Sequence, residues 1–196
     1  MISKILFALL CIGASARVIA ANDPAAIPAT PNFSPGPEYA DNVRMFQGIP
    51  GIEVAANGRL WATWYGGGVT EDDANYVLLY TSGDNGTSWQ RVLVIDPDGS
   101  GPVRAYDACV WIDPAGTLWL FWAQETSIRT NKTRASQTFA ITLNDASMAG
   151  SNWSLPREIS KGVMMNKPTV AADGRWLLPH PGGRQFQRGH ILCRFQ

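Results

Sequence analysis

The sequence predicts an all-β protein built from repeated antiparallel sheets, and three observations support this prediction. A unit of strand, polar turn and strand recurs every 58 residues, a glycine-containing hairpin turn lies at residues 82–89, and eight Trp occur in 196 residues. A repeat of this length with several short strands in each unit is typical of the blades of a β-propeller. About two and a half such blades fit into the chain.

The repeat is clearest in its turns. The turn glycines are Gly58, Gly116 and Gly174, and the intervals between them are 116 − 58 = 58 and 174 − 116 = 58. Because glycine supplies the positive φ that tight turns need, each of them is predicted to close a hairpin. The tryptophans of the following strands keep the same step, since Trp61 and Trp64 recur as Trp119 and Trp122. We interpret these indoles as core of the blades rather than as sugar-stacking surfaces.

Each complete blade is predicted to contain four antiparallel strands. In the first blade they cover residues 51–55, 60–65, 76–82 and 89–95, and in the second blade residues 108–112, 118–123, 135–143 and 153–159. A third blade starts at Pro168 and is not completed. The partial propeller is therefore predicted to span residues 41–179.

The turn at residues 82–89 reads Ser-x-Asp-x-Gly-x-x-Trp. Asp84 can accept hydrogen bonds from backbone N–H groups of its own turn, Gly86 supplies a position of positive φ, and Trp89 opens the next strand. The corresponding stretch of the second blade, residues 146–153, keeps the Gly and the Trp but loses the other positions. We interpret the turn as structural and expect Asp84 at the outer periphery.

Both ends of the chain differ in composition from the repeats. Residues 1–21 combine Lys4, a short apolar stretch and small residues, which is typical of a secretory signal peptide and predicts a secreted or periplasmic protein. Residues 22–40 carry five prolines and are interpreted as an extended linker. Residues 180–196 contain no Asp or Glu and are predicted to be an atypical tail after a break in the propeller sequence. A genuine tail or a recruited strand is the alternative.

Charge and cysteine content exclude several classes of function. The 16 Lys and Arg balance the 16 Asp and Glu, so the chain lacks the basic footprint of nucleic-acid or membrane-surface binding. Without the signal peptide only Cys109 and Cys193 remain, and both histidines, His180 and His190, lie near the end. The sequence therefore predicts no zinc site, no His-based triad, no cofactor and no membrane anchor, and it leaves the oligomeric state open.

The turn at residues 82–89 has the Asp-box pattern. Together with the stretch Phe-Gln-Gly-Ile-Pro at residues 46–50 and the repeated hairpins, it resembles the bacterial BNR-repeat members of the sialidase (neuraminidase) superfamily. The resemblance covers about residues 44–179 and implies a six-bladed propeller with exo-α-sialidase activity on glycans. In that superfamily three Arg hold the sugar carboxylate, an Asp is the acid/base, and a Tyr activated by a Glu is the nucleophile.

The match is incomplete at the positions that carry this chemistry. Gly48 stands where the first Arg is expected, and Arg44 or Gln47 could stand in for it, although neither occupies the same place. Residues 66–68 are all Gly where the second Arg is expected. The acid/base Asp belongs to the same loop, which makes Asp72 the first candidate and Asp73 the second. The resemblance assigns the third Arg and the Tyr/Glu pair to later blades.

Polar residues just ahead of the inner strands are predicted to line the substrate site. They are Gln47, Arg104, Asp107, Asn166 and Lys167. Arg104 and Lys167 suit a carboxylate or hydroxyl groups, with Arg favouring a bidentate contact, and Asp107 could orient Arg104 or bind sugar hydroxyls. A structural ion pair at a strand end is the alternative for each charged residue, and a solvated loop is the alternative for Asp72 and Asp73.

These observations together predict a secreted, sialidase-like glycoside hydrolase that acts on terminal sugars of glycans and is incomplete as this chain. The missing arginines leave another acidic glycan or a neutral glycan open as the substrate. A non-catalytic glycan-binding propeller and an inactive truncated fragment are the alternatives from other classes of function. Whether the chain is an enzyme stays open on the sequence.

Overall fold

A computed structural model describes residues 23–99, 101–126 and 136–179, together with the backbone of one short strand at residues 191–193. The predicted signal peptide at residues 1–21 lies outside the described residues, as does most of the predicted tail at residues 180–196. Three single turns of 3-10 helix precede the first strand, at Pro24–Ala26, Pro37–Tyr39 and Asp41–Val43. In the described parts of the chain no helix is long and apolar enough to cross a membrane.

The described residues form three antiparallel sheets, and the all-β prediction is confirmed. The first sheet contains β1 (Gln47–Val54), β2 (Leu60–Gly66), β3 (Tyr76–Ser82) and β4 (Gln90–Ile95) in chain order. The second contains β5 (Val103–Ile112), β6 (Leu118–Thr126), β7 (Gln137–Leu143) and β8 (Arg157–Lys161), also in chain order. The third contains β9 (Thr169–Val170), β10 (Trp176–Leu178) and β11 (Ile191–Cys193), with β10 in the middle. The sheets described here do not close into a ring.

The strand bounds agree with the sequence at the hairpins and differ where the ladder is irregular. β3 has its predicted bounds, whereas β1 and β5 begin earlier than predicted because a bulge in each strand breaks the alternation of apolar residues. β8 begins at Arg157 and not at Trp153. Trp153 forms only an isolated bridge to Leu143, and its indole N–H donates to the carbonyl of Gly150 at 3.2 Å.

The three turns of the repeat share one hydrogen-bond pattern. The N–H groups of Gly58, Gly116 and Gly174 each donate to the carbonyl three residues earlier, at 2.8 to 2.9 Å. Their φ angles are 86°, 86° and 80°, a region that residues with a Cβ rarely adopt. The prediction that these glycines occupy equivalent turns, between the first two strands of successive sheets, is therefore confirmed.

The main core lies between the first and second sheets. Trp61 of β2 and Trp122 of β6 are fully buried in this core, together with apolar side chains of β3, β4 and β7. The indole N–H of Trp61 donates to the carbonyl of Ala146 at 2.8 Å, which ties the first sheet to the β7–β8 connection. Trp119 packs edge-on against Trp176 with ring centroids 5.4 Å apart, in a second core between the second and third sheets.

The outer face of the first sheet is exposed at β1. Ile52 and Val54 are 52% and 57% exposed, whereas Val110, which lies 58 residues after Ile52, is fully buried beneath the first sheet. Trp64 is half-buried and its indole N–H has no hydrogen-bond partner among the described residues, although its repeat equivalent Trp122 donates to Gln124 at 2.9 Å. At β1 the first sheet therefore exposes the face that the second sheet buries, whereas at β3 and β4 the same face is buried against Tyr39.

Residues 23–40 pack onto the sheets, which differs from the extended linker that their prolines suggest. Asn32 exchanges two backbone hydrogen bonds with Val94 of β4, at 2.8 and 2.9 Å. The buried side chain of Gln124 accepts from the N–H of Ala29 at 2.8 Å and donates to the carbonyl of Ile27 at 2.9 Å. Proline removes a donor but keeps its carbonyl, so a proline-rich segment can still bond to neighbouring sheets. This segment therefore connects the first sheet to the second.

Replacing Gly67 by Ala is expected to destabilise the protein more than replacing Gly58 by Ala. Both glycines have positive φ, 101° and 86°, which costs a residue with a Cβ about 1–2 kcal/mol. At Gly67 the new Cβ would also lie 2.5 Å from the carbonyl oxygen of Ala74, whereas nothing lies within 4 Å at Gly58. Such overpacking adds about 1–3 kcal/mol. Urea unfolding measures both variants, and equal losses would contradict the packing of the loop after β2.

Candidate functional site

The candidate site lies at the end of the sheets where β1 and β5 begin. The loop at residues 67–75 joins β2 to β3 at this end, and Asn75 ties it to the second sheet. The Oδ1 atom of Asn75 accepts from the backbone N–H of Asp72 at 3.0 Å and from Nη1 of Arg104 at 3.3 Å. Its Nδ2 donates to the carbonyl of Gly67 at 2.9 Å. Asp72 and Arg104 are therefore at the same end of the sheets.

Two strained residues mark the inner strands at this end. Ile49 of β1 has a φ of 47° and Asp107 of β5 has a φ of 45°, and both lie where the pairing register shifts. The interval, 107 − 49 = 58, is the repeat interval, so the two bulges are equivalent. Positive φ is unfavourable for a residue with a Cβ and most of all for a β-branched one. Bulges and backbone strain of this kind are concentrated next to functional sites.

Arg104 is held in a buried network. Its Nε donates to Oε1 of Glu125 at 3.0 Å, and both side chains are almost fully buried. Its guanidinium lies 4.0 Å from the centre of the Tyr106 ring. The other carboxylate oxygen of Glu125 accepts from the hydroxyls of Tyr106 and Ser136, both at 2.9 Å. The charge of Arg104 is thus paired within the protein, as the alternative of a structural ion pair predicts.

Asp107 lies beside this network, and no hydrogen bond joins its carboxyl group to the residues that the structure describes. It is half-buried, and burial raises the pKa of the carboxyl above its ordinary value. Arg104 opposes this rise in pKa, while the negative charges of Glu71 and Glu125 add to it. A carboxyl group with a raised pKa retains its proton closer to neutral pH and can act as a general acid.

Tyr65 and Glu71 form a second pair at the same end. The buried hydroxyl of Tyr65 donates to Oε1 of Glu71 at 2.6 Å. Burial, and next the hydrogen bond to Glu71, raise the pKa of Tyr65 above its usual range, so the phenol stays protonated. The ring of Tyr65 contacts that of Tyr106 edge-on, with centroids 6.3 Å apart. The sequence shows Glu71 only as part of an acidic loop. The hydrogen bond from Tyr65 fixes the position of its carboxylate at this end of the sheets.

Asp72 and Asp73, the candidates for the acid/base, lie in the loop at residues 67–75. The Oδ1 atom of Asp72 accepts from the N–H of Ala74 at 3.0 Å. The carboxylate also covers Gly68, where an added Cβ would lie 2.5 Å from its oxygens. Asp73 packs against Gly101, at the start of the second sheet. The carboxylate of Asp72 therefore helps to hold the loop in shape.

The other predicted binding residues are only partly brought together. Gln47 is exposed and pairs with Gly66, so it lies at the same end as Arg104. Lys167 is instead paired with the carboxylate of Glu53 in β1, and it donates to the carbonyl of Ile52 at 2.7 Å. Asn166 is exposed, and its Oδ1 accepts from the N–H of Lys167 at 2.8 Å. Lys167, just ahead of β9, thus contacts the first sheet, and in the described part of the chain neither it nor Asn166 bonds to the Arg104 network.

Several residues of the site were not identified from the sequence. They are Glu125, Tyr106, Asn75 and Tyr65. The sequence contained one signal for Glu125. It is a charged residue near the end of an apolar strand, and it lies 58 residues, one repeat, after Gly67 of the glycine-rich loop. The repeat therefore places Glu125 at the same end as that loop. Nothing in the sequence predicted its pairing with Arg104.

The chain matches the family of BNR repeat-like domains over residues 58–195, and it belongs to this family. Among solved structures it is similar to the Hadza microbial sialidase Hz136, with a TM-score of 0.55 and 20% identity. That match covers 70% of this chain and 32% of the sialidase, so the chain spans about a third of the sialidase's length. The family match confirms the BNR-repeat part of the resemblance, and at this level of identity the structural match to the sialidase shows the fold alone.

A second similar structure is that of the α-L-arabinofuranosidase Arb93A from Fusarium graminearum in complex with an iminosugar inhibitor. The TM-score is 0.39 at 15% identity, and the match covers 85% of this chain and 65% of that one. The comparison with curated proteins found no match.

Replacing Asp107 by Asn is expected to stabilise the protein at pH 7. Because burial raises the pKa of Asp107 in the folded state, its contribution to stability is fully present below the unfolded value of about 3.9 and is lost as the pH rises through the folded pKa. Asn stays neutral and tolerates positive φ. The gain in melting temperature is therefore expected at pH 7 and should shrink as the pH approaches about 4.

Asp84 provides a control of opposite sign. Hydrogen bonds from Ser88 lower its pKa to about 2, so its contribution to stability is present above the unfolded pKa and is lost as the pH falls through the folded one. Asp84→Asn should therefore lower the melting temperature at pH 7, with the loss fading in acid. A melting-temperature change for Asp107→Asn that does not vary with pH would contradict the shifted pKa of Asp107.

Proposed function

We propose that the chain is part of a secreted, sialidase-like glycoside hydrolase that acts on terminal sugars of glycans. In this proposal its sheets are blades of a six-bladed propeller, and its site is the end of the sheets at which β1 and β5 begin. Membership of the BNR repeat-like family and the fold shared with a sialidase support the carbohydrate class. Secretion rests on the signal-like pattern of residues 1–21.

The observation that carries a catalytic role is the environment of Asp107. Its carboxyl group is half-buried, has a raised pKa, lies on a strained bulge and makes no hydrogen bond to another described side chain. In this proposal Asp107 donates a proton to the oxygen of the departing group. The superfamily pattern would instead assign the acid/base role to Asp72. The carboxylate of Asp72, however, accepts a hydrogen bond within its own loop. The two assignments differ in which variant loses activity.

The residues of the site favour a neutral sugar over sialic acid. Gly48 and residues 66–68 supply no cation where the superfamily has two, and the charge of Arg104 is paired with Glu125. Among the residues that the structure describes, a carboxylate entering this end would therefore meet Glu71 and Asp107 without an unpaired cation to balance it. Neutral hydroxyl groups can bond to carboxylates and carboxyl groups at little electrostatic cost.

The test is hydrolysis of a panel of methylumbelliferyl glycosides of neutral sugars by the full chain. Asp107→Asn is expected to lower kcat/KM about 100-fold or more, as the loss of a general acid does. Glu158→Gln is the matched control, because it alters an exposed carboxylate that pairs with Lys161 on the outermost strand of the second sheet. Loss of activity in Asp72→Asn alone would assign the acid to Asp72 and contradict the role of Asp107.

A non-catalytic glycan-binding protein is the second candidate, and one observation favours it. Three of the charged groups predicted to act on substrate are engaged in the fold, Arg104 with Glu125, Lys167 with Glu53 and Asp72 with its own loop. Ligand-observed NMR with methyl glycosides of the same neutral sugars separates the two candidates. Binding that is weakened by Asp107→Asn, without turnover of any glycoside, would support the binding protein and contradict the enzyme.

A further inference from the structure

A polar cavity of about 310 Å³ lies beside the turn at residues 82–89, at the end of the first sheet opposite to the candidate site. It is lined by Arg59, Thr81, Ser82, Gly83, Asp84, Ser88, Trp89 and Gln90. Its volume is at the lower end of the range of clefts that hold small molecules, about 300–1,000 Å³. The pairing of Leu60 with Ser82 places this turn with Gly58, away from the loop at residues 67–75.

Three groups on this cavity have unused capacity for a ligand. Trp89 is 41% exposed, and its indole N–H makes no hydrogen bond within the described residues. The side chain of Gln90 is exposed and likewise makes none to any residue that the structure describes. Arg59 uses Nε on the carbonyl of Ser147 at 3.0 Å and Nη1 on the hydroxyl of Thr81 at 3.3 Å, which fixes its guanidinium. Its Nη2 has no partner in the described part of the chain.

The remaining polar groups of the cavity are occupied by the turn itself. Oδ1 of Asp84 accepts from the Ser82 hydroxyl at 2.7 Å and from the N–H of Ser88 at 2.9 Å, and Oδ2 accepts from the Ser88 hydroxyl at 2.6 Å. The N–H of Gly86 donates to the Ser82 hydroxyl at 2.9 Å. These bonds make the turn rigid and keep Asp84 ionised, so its charge balances that of Arg59. The cavity as a whole is polar but close to neutral.

The corresponding turn of the second sheet has no such open side. Trp153 donates its indole N–H to Gly150 and packs edge-on against Trp61, with ring centroids 6.2 Å apart. Thr117 stands 58 residues after Arg59, so the fixed guanidinium is also absent there. The repeat therefore offers an internal comparison, in which the same kind of turn is closed in one sheet and open in the other.

From this arrangement we propose that the cavity between Arg59, Trp89 and Gln90 is an auxiliary binding site for a neutral sugar ring. The exposed indole offers an apolar face for the C–H groups of the ring and a donor at its edge. The Gln90 amide and Nη2 of Arg59 supply donors and one acceptor for the hydroxyl groups. The choice of a sugar over another small polar ligand rests on the proposed function. Because the cavity and the candidate site lie at opposite ends of the first sheet, the auxiliary site would bind a glycan chain at a distance from the candidate site.

The experiment is ligand-observed saturation-transfer NMR and calorimetry with lactose and methyl galactoside as neutral probes and sialyllactose as an anionic one. The full chain is expected to bind the neutral probes with a Kd of about 1 mM, the strength of about three modest contacts. Trp89→Ala is expected to weaken this binding at least 10-fold, and Gln90→Ala about 3-fold. Trp89→Phe should retain most of it, because the ring face remains while the N–H is lost.

The variants also separate this site from the candidate site. Trp89 and Gln90 lie at the end of the first sheet opposite to the candidate site, so their replacement should leave any glycoside hydrolysis unchanged. Binding of the neutral probes that survives Trp89→Ala but is lost in Asp107→Asn would overturn the auxiliary site and leave the proposed function standing. Tighter binding of sialyllactose than of lactose through Trp89 would contradict the neutral class of ligand. Failure of every probe to bind the unaltered chain would overturn the auxiliary site itself, whatever the outcome of the hydrolysis assay.

Discussion

Replacing Glu125 by Gln is expected to lower the free energy of unfolding by about 3–5 kcal/mol, because it leaves the buried cation of Arg104 without its carboxylate. Gln has nearly the same shape as Glu, so the loss would report charge pairing and not packing. The amide oxygen can still accept from one of the hydroxyls of Tyr106 and Ser136. Arg104 would keep its contact with the Tyr106 ring and its bond to Asn75, which do not replace an ionic partner.

Glu158→Gln is the matched control for this prediction. The pair between Glu158 and Lys161 is exposed, with 42% and 69% of the side chains accessible, and such pairs contribute about 0–1 kcal/mol. Urea unfolding of both variants measures the difference. A double variant, Arg104→Met with Glu125→Gln, should recover part of the loss, since no buried charge then stays unpaired. Equal stability of Glu125→Gln and Glu158→Gln would show that Arg104 and Glu125 do not form a buried pair in solution.

No measurable hydrolysis of sialosides is the second expected result, for the full chain incubated with methylumbelliferyl sialoside. Gly48 and residues 66–68 lack the cations that would hold the sugar carboxylate, and Lys167 is paired with Glu53. The loss of one preorganised charge contact typically costs on the order of 10²–10³-fold in rate. Two such losses would bring turnover below detection, while a neutral glycoside would be unaffected by them.

A microbial sialidase run in parallel shows that the sialoside assay works, and the panel of neutral glycosides shows whether the chain is active at all. Robust sialoside turnover that is abolished by Asp72→Ala would mean that the arginines are dispensable. It would also mean that Asp72, and not Asp107, carries the proton transfer. Turnover that survives both Asp72→Ala and Asp107→Asn would place the chemistry outside the candidate site.

The repeat made the hairpins predictable because their determinants are local. Gly58 and Gly116 are turn residues with an apolar strand on either side. Because this local pattern recurs after 58 residues, it specifies the same backbone conformation twice. The bulges at Ile49 and Asp107 could not be predicted in this way. A bulge inserts a residue into a strand and breaks the alternation of side chains that identifies a strand in a sequence.

The candidate site could be predicted in position but not in its contacts. The strand starts and the loop after β2 put Asp72, Arg104 and Asp107 at one end, as the topology requires. The partner of Arg104 is 21 residues away on the neighbouring strand, and no spacing in the sequence distinguishes a paired guanidinium from one that awaits a ligand. The packing of residues 23–40 was missed because prolines indicate which bonds a segment cannot make, and not where its carbonyl groups go.

The partly exposed outer face of the first sheet has a consequence for the order in which the sheets unfold locally. The second sheet is packed against another sheet on both sides, with Trp61 on one and Trp176 on the other. The outer face of the first sheet is instead exposed at Ile52 and Val54 and is covered at β3 and β4 by Tyr39 rather than by another sheet. In proteins made of stacked units, each unit is stabilised by itself and by its immediate neighbours. Opening the second sheet breaks two interfaces between sheets, and opening either flanking sheet breaks one. Amide hydrogens of β6 should therefore be the last to exchange with solvent, while the short strands β9 and β10 open first and most often.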